Sequence, residues 1–457
     1  MSLWWIAGAL LLAFAATLAF RALRFTPREG PAPRPLSATV DAEAAARHLQ
    51  AMVRCKTVSD IDPAKMDAGE FAAFQALLPR LYPLVHEKCA REGIGAHGLL
   101  YTWKGKSGQE PSVFMSHYDV VPANEAEWRE PPFSGVIKDG ELWGRGTLDT
   151  KSTLLGVLEA AESLLREGFV PKNDIYFAFG GDEEVMGQDA PAIVDGVFPG
   201  VKRSAAMIGI AEKGSVNVDI TATGKGGHAS APPARQSMAV LSRSIQRLAA
   251  KSMPFALTKP ARELFDVMGR HSDFAFKLIF ANLWCFAPLL NLICRVSGGE
   301  LNALVRTTCA FTRARASEAY NVLPVQAVAG LNLRVICGET IGQITRRLEK
   351  TIRDPQVKAE VRQGVEASAI SATYDAAWNR LDSAIRQTYP QALVTPYLML
   401  AASDSRHYCR VSDHVYRFSG MPLTKEQRGL IHNADERIPL EHIRDTAAFF
   451  IRIMRMS

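Results

Sequence analysis

The sequence predicts an α/β protein, with a mixed, mostly parallel sheet flanked by helices and interrupted by an inserted α+β domain. Three observations carry that expectation. Short apolar runs such as Ser112–Met115 and Asp174–Phe179 alternate with helical patterns, as strands and helices do around a sheet. Histidines and carboxylates gather where those runs end, and ligands collect at the C-terminal strand ends of such sheets. A second strand-rich region begins near Ser215, and the first pattern resumes near Tyr374.

Taken in order, the chain opens on Leu3–Phe20, an uncharged run broken only by Gly8 and Thr17 among apolar residues. That length is near the minimum for crossing a bilayer, about 18 residues. No Lys or Arg precedes it, so it lacks the charged start of a cleavable signal peptide, and a membrane anchor is expected. Arg21, Arg24, Arg28 and Arg34 follow, and the positive-inside rule would keep the body cytoplasmic; the side is left open. Pro27, Pro31, Pro33 and Pro35 then make a stiff linker. Ala42–Met52 and Glu70–His86 read as amphipathic helices, and Thr150–Leu165 as a helix between two strands. Ser215–Thr223 and Ala327–Cys337 read as strands of the insertion, Arg347 sits in a helix, and Leu381–Tyr389 is helical.

Composition excludes several classes. With 457 residues, 47% hydrophobic and 22% charged, the chain is long enough for two or three ordinary domains. A net charge of +6 without a basic stripe gives no footprint for nucleic acid. The seven cysteines are scattered and lack a C-x-x-C pair, which argues against a disulfide framework or a cysteine zinc site. Lys104-Gly105-Lys106-Ser107 is not a phosphate loop, because Leu100 stands where the upstream glycine is needed.

The chemistry is concentrated in three clusters and a distant fourth. They are Ser116-His117-Tyr118-Asp119, Gly144-Arg145-Gly146-Thr147-Leu148-Asp149, Gly180-Gly181-Asp182-Glu183-Glu184 and, near the C-terminus, Ile431-His432-Asn433. A lone H-x-D is commonly structural, and an acid at a helix start is commonly a cap. Together, however, they supply the histidine and carboxylate ligands of catalytic zinc, a carboxylate able to bridge two ions, and a base for water. Three consecutive acids at Asp182-Glu183-Glu184 repel one another unless cations neutralise them.

These motifs resemble the zinc aminoacylase and carboxypeptidase family, closest to its carboxypeptidase S and N-fatty-acyl-amino-acid hydrolase branch. Glu212-Lys213-Gly214, Gly226-Gly227-His228-Ala229-Ser230-Ala231-Pro232, Asn321-Val322-Leu323-Pro324 and Ser403-Asp404-Ser405-Arg406 extend the resemblance from about residue 40 to the C-terminus. It implies a zinc-dependent hydrolase cleaving an amide bond next to a C-terminal amino acid, in a small peptide or an N-acyl amino acid. By the same resemblance His117, Asp149, Glu184 and His432 are metal ligands, with Asp149 bridging two zinc ions. Glu183 is the general base, Asp119 orients His117, and His228 is a lid histidine that reaches a partner subunit's site and polarises the scissile carbonyl. Asn321 and Arg334 hold substrate. The implied organisation is a transmembrane anchor at 1–24, a linker at 25–36, a catalytic domain at 37–215 and 371–457, and a lid and dimerisation domain at 216–370.

One departure from the family pattern stands out. Relatives carry a further acidic ligand after the double glutamate, beyond a helix and a strand. Here Glu184 runs through Val185–Val197 to Glu212-Lys213-Gly214 with a helix and a strand missing, and the ten residues between Glu184 and Asp195 are fewer than the roughly dozen a parallel crossover needs. Asp195 is the foremost substitute, ahead of Asp189 and Glu212, and the second metal site is expected to be weakened. That gap also keeps a non-catalytic, membrane-tethered binding protein as the alternative, although such a module needs no Glu183. Finally, Phe274–Val296 is an apolar stretch inside the insertion, read first as a buried lid helix or dimer contact, and second as an acyl groove or bilayer contact.

Overall fold

The computed structural model describes residues 3–28, 30, 33–185, 193–194, 204–401 and 403–457. Asp189 and Asp195 lie outside them. The first helix, α1 (Leu3–Arg24), leaves residues 3–16 exposed and buries only Leu18 and Ala22. After the linker come α2 (Ala42–Val53), α3 (Ala68–Leu81) and α4 (Pro83–Lys88). The single helix expected over Glu70–His86 is thus two. Pro83 lacks an N–H and pushes its predecessor out of the helical region, and Tyr82 accordingly sits at φ −129°, ψ 66°.

A first sheet follows from β1 (Ala90–Ile94), β2 (Gly98–Trp103), β3 (Ser107–His117) and, after the hairpin β4 (Val136–Lys138)–β5 (Glu141–Trp143) and helix α5 (Lys151–Arg166), β6 (Asn173–Gly180). Its order is β1-β2-β6-β3, with β3 and β6 parallel and β2 antiparallel to both neighbours. The short β7 (Ile193–Val194) and fully buried β8 (Ala205–Glu212) begin a second sheet.

The insertion starts with β9 (Gly214–Thr223), β10 (Gly227–His228) and α6 (Ser237–Ala250). A helical excursion follows: α7 (Lys259–Arg270), α8 (Phe274–Phe280), α9 (Leu283–Ser297) and α10 (Gly299–Leu304). Then come β11 (Thr308–Arg315), β12 (Val322–Leu323), β13 (Gln326–Val335), α11 (Ile341–Ile352) and β14 (Val357–Val365). Strands β11-β13-β9-β14 form an antiparallel sheet. The period-two pattern of β9 turns Val216, Val218, Ile220 and Ala222 to one side, where they pack with Leu331, Leu333, Val240 from α6 and Ile344 and Leu348 from α11. The excursion belongs elsewhere: Ala261, Leu264, Phe265 and Met268 of α7 pack on Met207 of β8 and Leu398.

The chain returns through α12 (Ala376–Thr388), β15 (Leu393–Met399), β16 (Pro422–Leu423), α13 (Lys425–Arg428), β17 (Arg437–Pro439) and α14 (Leu440–Arg455). Strand β15 runs parallel to β8 and β16 parallel to β7, giving the order β15-β8-β7-β16, while β17 adds to β5. Helices α5 and α14 cross closely, and a Cβ on Gly156 would stand 2.7 Å from Thr446 Cγ2. The central core joins Leu154, Leu155 and Leu158 to Phe177, Ile208 and Phe449. Parallel β3 and β6 therefore end side by side, with His117 opposite Gly180, and that edge carries the site.

A candidate metal centre at the strand ends

The site draws on four separate stretches of chain. His117 closes β3. Glu183 and Glu184 lie in the short 3-10 turn after β6. Asp149 precedes α5, at the end of a tight turn. At Gly146 that turn has φ +90°, and a Cβ would meet Val120 Cγ1 at 2.8 Å, so glycine is required on both counts. His432 arrives from the loop before β17 with φ +62°, a conformation that costs a non-glycine residue about 1–3 kcal/mol and concentrates at functional sites.

These residues meet. One ligand atom each from His117, Asp149 and Glu184 lie within 4.8 Å of one another. His117 Nε2 is 3.2 Å from Asp149 Oδ1 and 3.6 Å from Glu183 Oε2. His432 Nε2 is 2.9 Å from Glu184 Oε2 and 3.1 Å from Asp149 Oδ2. Asp119 is fully buried. Its Oδ1 lies 3.3 Å from His117 Nδ1, and its Oδ2 accepts from Ser59 Oγ at 2.8 Å and Glu184 N at 3.0 Å. One carboxylate thus fixes both the imidazole and the turn that carries Glu184, as outer partners of ligands do.

Among the described residues, the buried oxygens Asp119 Oδ1, Asp149 Oδ2, Glu183 Oε2 and Glu184 Oε2 make no well-aligned hydrogen bond and face the imidazoles of His117 and His432. Buried carboxylate oxygens crowded together without good hydrogen bonds are costly, and a cation is what such a cluster accommodates. The titration of the side chains agrees. Burial, reinforced by Asp149, Glu184 and Asp404 and opposed by His117, pushes Glu183 up to about 8. Burial also raises Glu184 to about 7, against the pull of His432. Hydrogen bonds to Asp149 and Glu184 raise His432 to about 10. Burial works to lower His117, but Asp119 and Asp149 together hold it well above the usual histidine range. Protons here stand where a dication would, and binding one would release them. A set of imidazole nitrogens and carboxylate oxygens is the donor chemistry of zinc.

The remaining predicted residues lie apart from this cluster. His228 is exposed on the two-stranded ribbon β10–β12, its Nδ1 2.8 Å from Ser230 Oγ. Asn321 adjoins it, its carbonyl accepting from Ala229 N at 3.0 Å. Arg334 lies in β13, opposite Ser215 of β9 and Thr308 of β11. Glu212, weighed as a substitute ligand, is engaged otherwise: Oε1 accepts from Arg417 Nε at 2.7 Å and both its oxygens bond Ser403.

Sequence reasoning missed the residue that shapes the turn. Glu436, 1% exposed, accepts from Gly146 N at 3.1 Å, Leu148 N at 2.7 Å and Asp149 N at 3.3 Å, and pairs with Arg145 Nη1 at 2.8 Å. Arg145 in turn donates to the carbonyls of Asn433 and His432, at 3.1 and 3.4 Å. Two candidate ligands, Asp149 and His432, are thereby positioned by one buried ion pair. Position four residues past His432 was the sole clue, and an acid at such spacing carries no periodic signal.

Comparison with known proteins gives four findings. The model of peptidase family M20/M25/M40 matches residues 113–456. The N-fatty-acyl-amino acid synthase/hydrolase of Danio rerio is 32% identical over 413 residues, covering 84% of this chain and 80% of its own. Carboxypeptidase S of Saccharomyces cerevisiae is 26% identical over 425 residues, covering 79% and 74%. Among solved structures, an M20 family metallo-carboxypeptidase from Sulfolobus solfataricus superposes with a TM-score of 0.65 at 15% identity, covering 90% of this chain and 98% of that one.

Proposed function

The chain belongs to peptidase family M20/M25/M40, and from that premise we propose a zinc-dependent hydrolase that cleaves the amide bond of an N-fatty-acyl amino acid. Hydrolysis of an amide beside a C-terminal amino acid is common ground between the carboxypeptidase and the N-acyl-amino acid hydrolase that the chain resembles. The observation that carries the metal is the convergence of buried carboxylate oxygens with His117 and His432. His117, Asp149, Glu184 and His432 would hold it, with Asp149 central because both histidines reach it. Bound there, zinc polarises a carbonyl and lowers the pKa of water.

The protein's own groups do the rest. Glu183, raised to about 8 and beside His117, takes a proton from the attacking water and returns it to the leaving amine. Asp119 keeps His117 in the tautomer whose Nε2 faces Asp149. His228 and Asn321, held together on the lid ribbon, and Arg334 bind and polarise the substrate, with His228 serving a partner subunit's site in a homodimer. The fatty-acyl preference draws support from the likeness to the N-fatty-acyl-amino acid synthase/hydrolase, and α1 itself is the single-pass anchor. The short run from Glu184 to Glu212 is what supports a weakly held second zinc, and Asp189 and Asp195, its candidate substitutes, lie outside the described residues.

The test is turnover of an N-fatty-acyl amino acid against a dipeptide sharing the same C-terminal residue, with zinc counted per chain after dialysis. Preference for the acyl substrate is expected, with between one and two zincs. Preference for the dipeptide would replace the substrate, and two firmly held zincs would refute the weak second site.

A further inference from the structure

The helix pair α8–α9 is the largest apolar feature that this chemistry leaves unused. The two helices meet at an angle of 110°. They have 7 and 15 residues, each short of the roughly 20 that cross a bilayer. The stretch is therefore not one buried lid helix: α8 has no buried residue, and α9 buries Leu290 and Cys294.

Their joint grips α1. Asn282 Nδ2 donates to Leu18 O at 3.1 Å, and Arg21 Nη2 donates to Ala281 O at 3.0 Å. Arg21 Nε donates to Asn282 Oδ1 at 3.0 Å. Trp284 meets Phe14 edge-on, with ring centroids 6.0 Å apart. From there α9 shows two apolar sides. Leu290 and Cys294 face the core under α7. Leu289, Leu292, Ile293 and Val296, at the spacing of one helical face, are exposed, Leu292 by 56% and Val296 by 80%. Trp284, 61% exposed, stands at the start of the same helix against Phe14 of α1.

The position of α1 sets the depth of α9. Arg21 is the first charge after the apolar run and belongs at the headgroups. Phe14 lies two helical turns deeper, about 10 Å. Trp284, in contact with Phe14, is carried below the headgroups with it. An interfacial helix buries its apolar face about 5–10 Å into the acyl boundary, which matches this depth. Arg295 and Lys277, on the same helix pair, supply charges of the sign that anionic headgroups attract.

We propose that the outer face of α9 is a second bilayer contact, lying in the plane of the membrane beside the α1 span. It rests on the reading of α1 as a span. The enzyme is then seated on the lipid surface by two elements.

The test uses the full-length protein in phosphatidylcholine vesicles containing a lipid with a photoreactive diazirine in its acyl chain. Adducts are mapped by mass spectrometry. The expected result is labelling of α1 and of the segment Leu289–Val296. In the double variant Leu292→Glu, Ile293→Glu, the α9 adducts fall about tenfold or more, because carboxylates are costly in hydrocarbon. Labelling of α1 and turnover of a water-soluble short-acyl substrate persist in that variant. Adducts on α1 alone would overturn the α9 contact and leave the anchor standing. Adducts on neither would overturn both. Protein–protein cross-links through α9, with no lipid adduct there, would assign the face to a second copy and also overturn the proposal.

Discussion

At Glu183, burial and neighbouring carboxylates raise the carboxyl to about 8, which suits the proton carrier proposed above. Replacing it with Gln removes the carrier but none of the proposed ligands. Glu183→Gln should keep the wild-type zinc content and lose about 10²–10⁴-fold in kcat, measured on one substrate under saturation. The same perturbation has a stability consequence. A carboxyl raised to about 8 binds more protons folded than unfolded, so its contribution falls as pH rises from about 4.5 through 8. His432, raised to about 10, adds loss of the same sign above about 6.5. The metal-free protein should therefore lose Tm as pH is raised across this window, and zinc should restore most at the alkaline end. A metal-free Tm that climbs with pH from 5 to 8, in both wild type and Glu183→Gln, would contradict the assignment.

Elements decide how well these residues are held. The turn before Asp149 and the loop bearing His432 are joined by the Arg145–Glu436 pair. Breaking a buried pair by removing one partner costs about 3–5 kcal/mol. Glu436→Gln should lower Tm and weaken zinc binding about 10–100-fold, as loss of outer-shell support does; metal titration with a competing chelator reads the second effect. At the α5–α14 crossing, Gly156→Val should destabilise by about 1–3 kcal/mol through overpacking, since Thr446 Cγ2 occupies the space of the new side chain. Urea unfolding measures it. The sequence made much of this scale legible. Alternating apolar runs located β3, β6 and β9, and strand-end acids and histidines located the cluster, because both signals are local. Tyr82 was missed for want of weight on Pro83, and Glu436 because its meaning comes from contact with the backbone of Gly146 and Leu148, far away in the chain.

For the whole molecule, the insertion is two bodies of different allegiance. Its strands with α6 and α11 form the lid sheet, while α7–α10 lie against the catalytic sheet and α1. Sequence order gave one uninterrupted insertion; only packing separates them, since hydrophobic pattern names a buried face without naming its partner. Chelation should then be felt through the body that holds the ligands. Removing zinc should lower the Tm of the catalytic core, and re-addition should restore it, with a size that grows with free zinc.

The distance along the chain between partners at the metal centre has a further consequence, in biosynthesis. His432 lies 248 residues beyond Glu184, and Glu436 lies 287 beyond Asp149. During translation α1 emerges first, and a hydrophobic span can enter the bilayer while most of the chain is unmade. The centre, by contrast, has to wait for nearly the last helix to leave the ribosome. With α1 as the proposed span and zinc as the proposed metal, the ion would be acquired by a polypeptide already committed to its membrane, and the compartment in which synthesis ends would determine which metal pool supplies it.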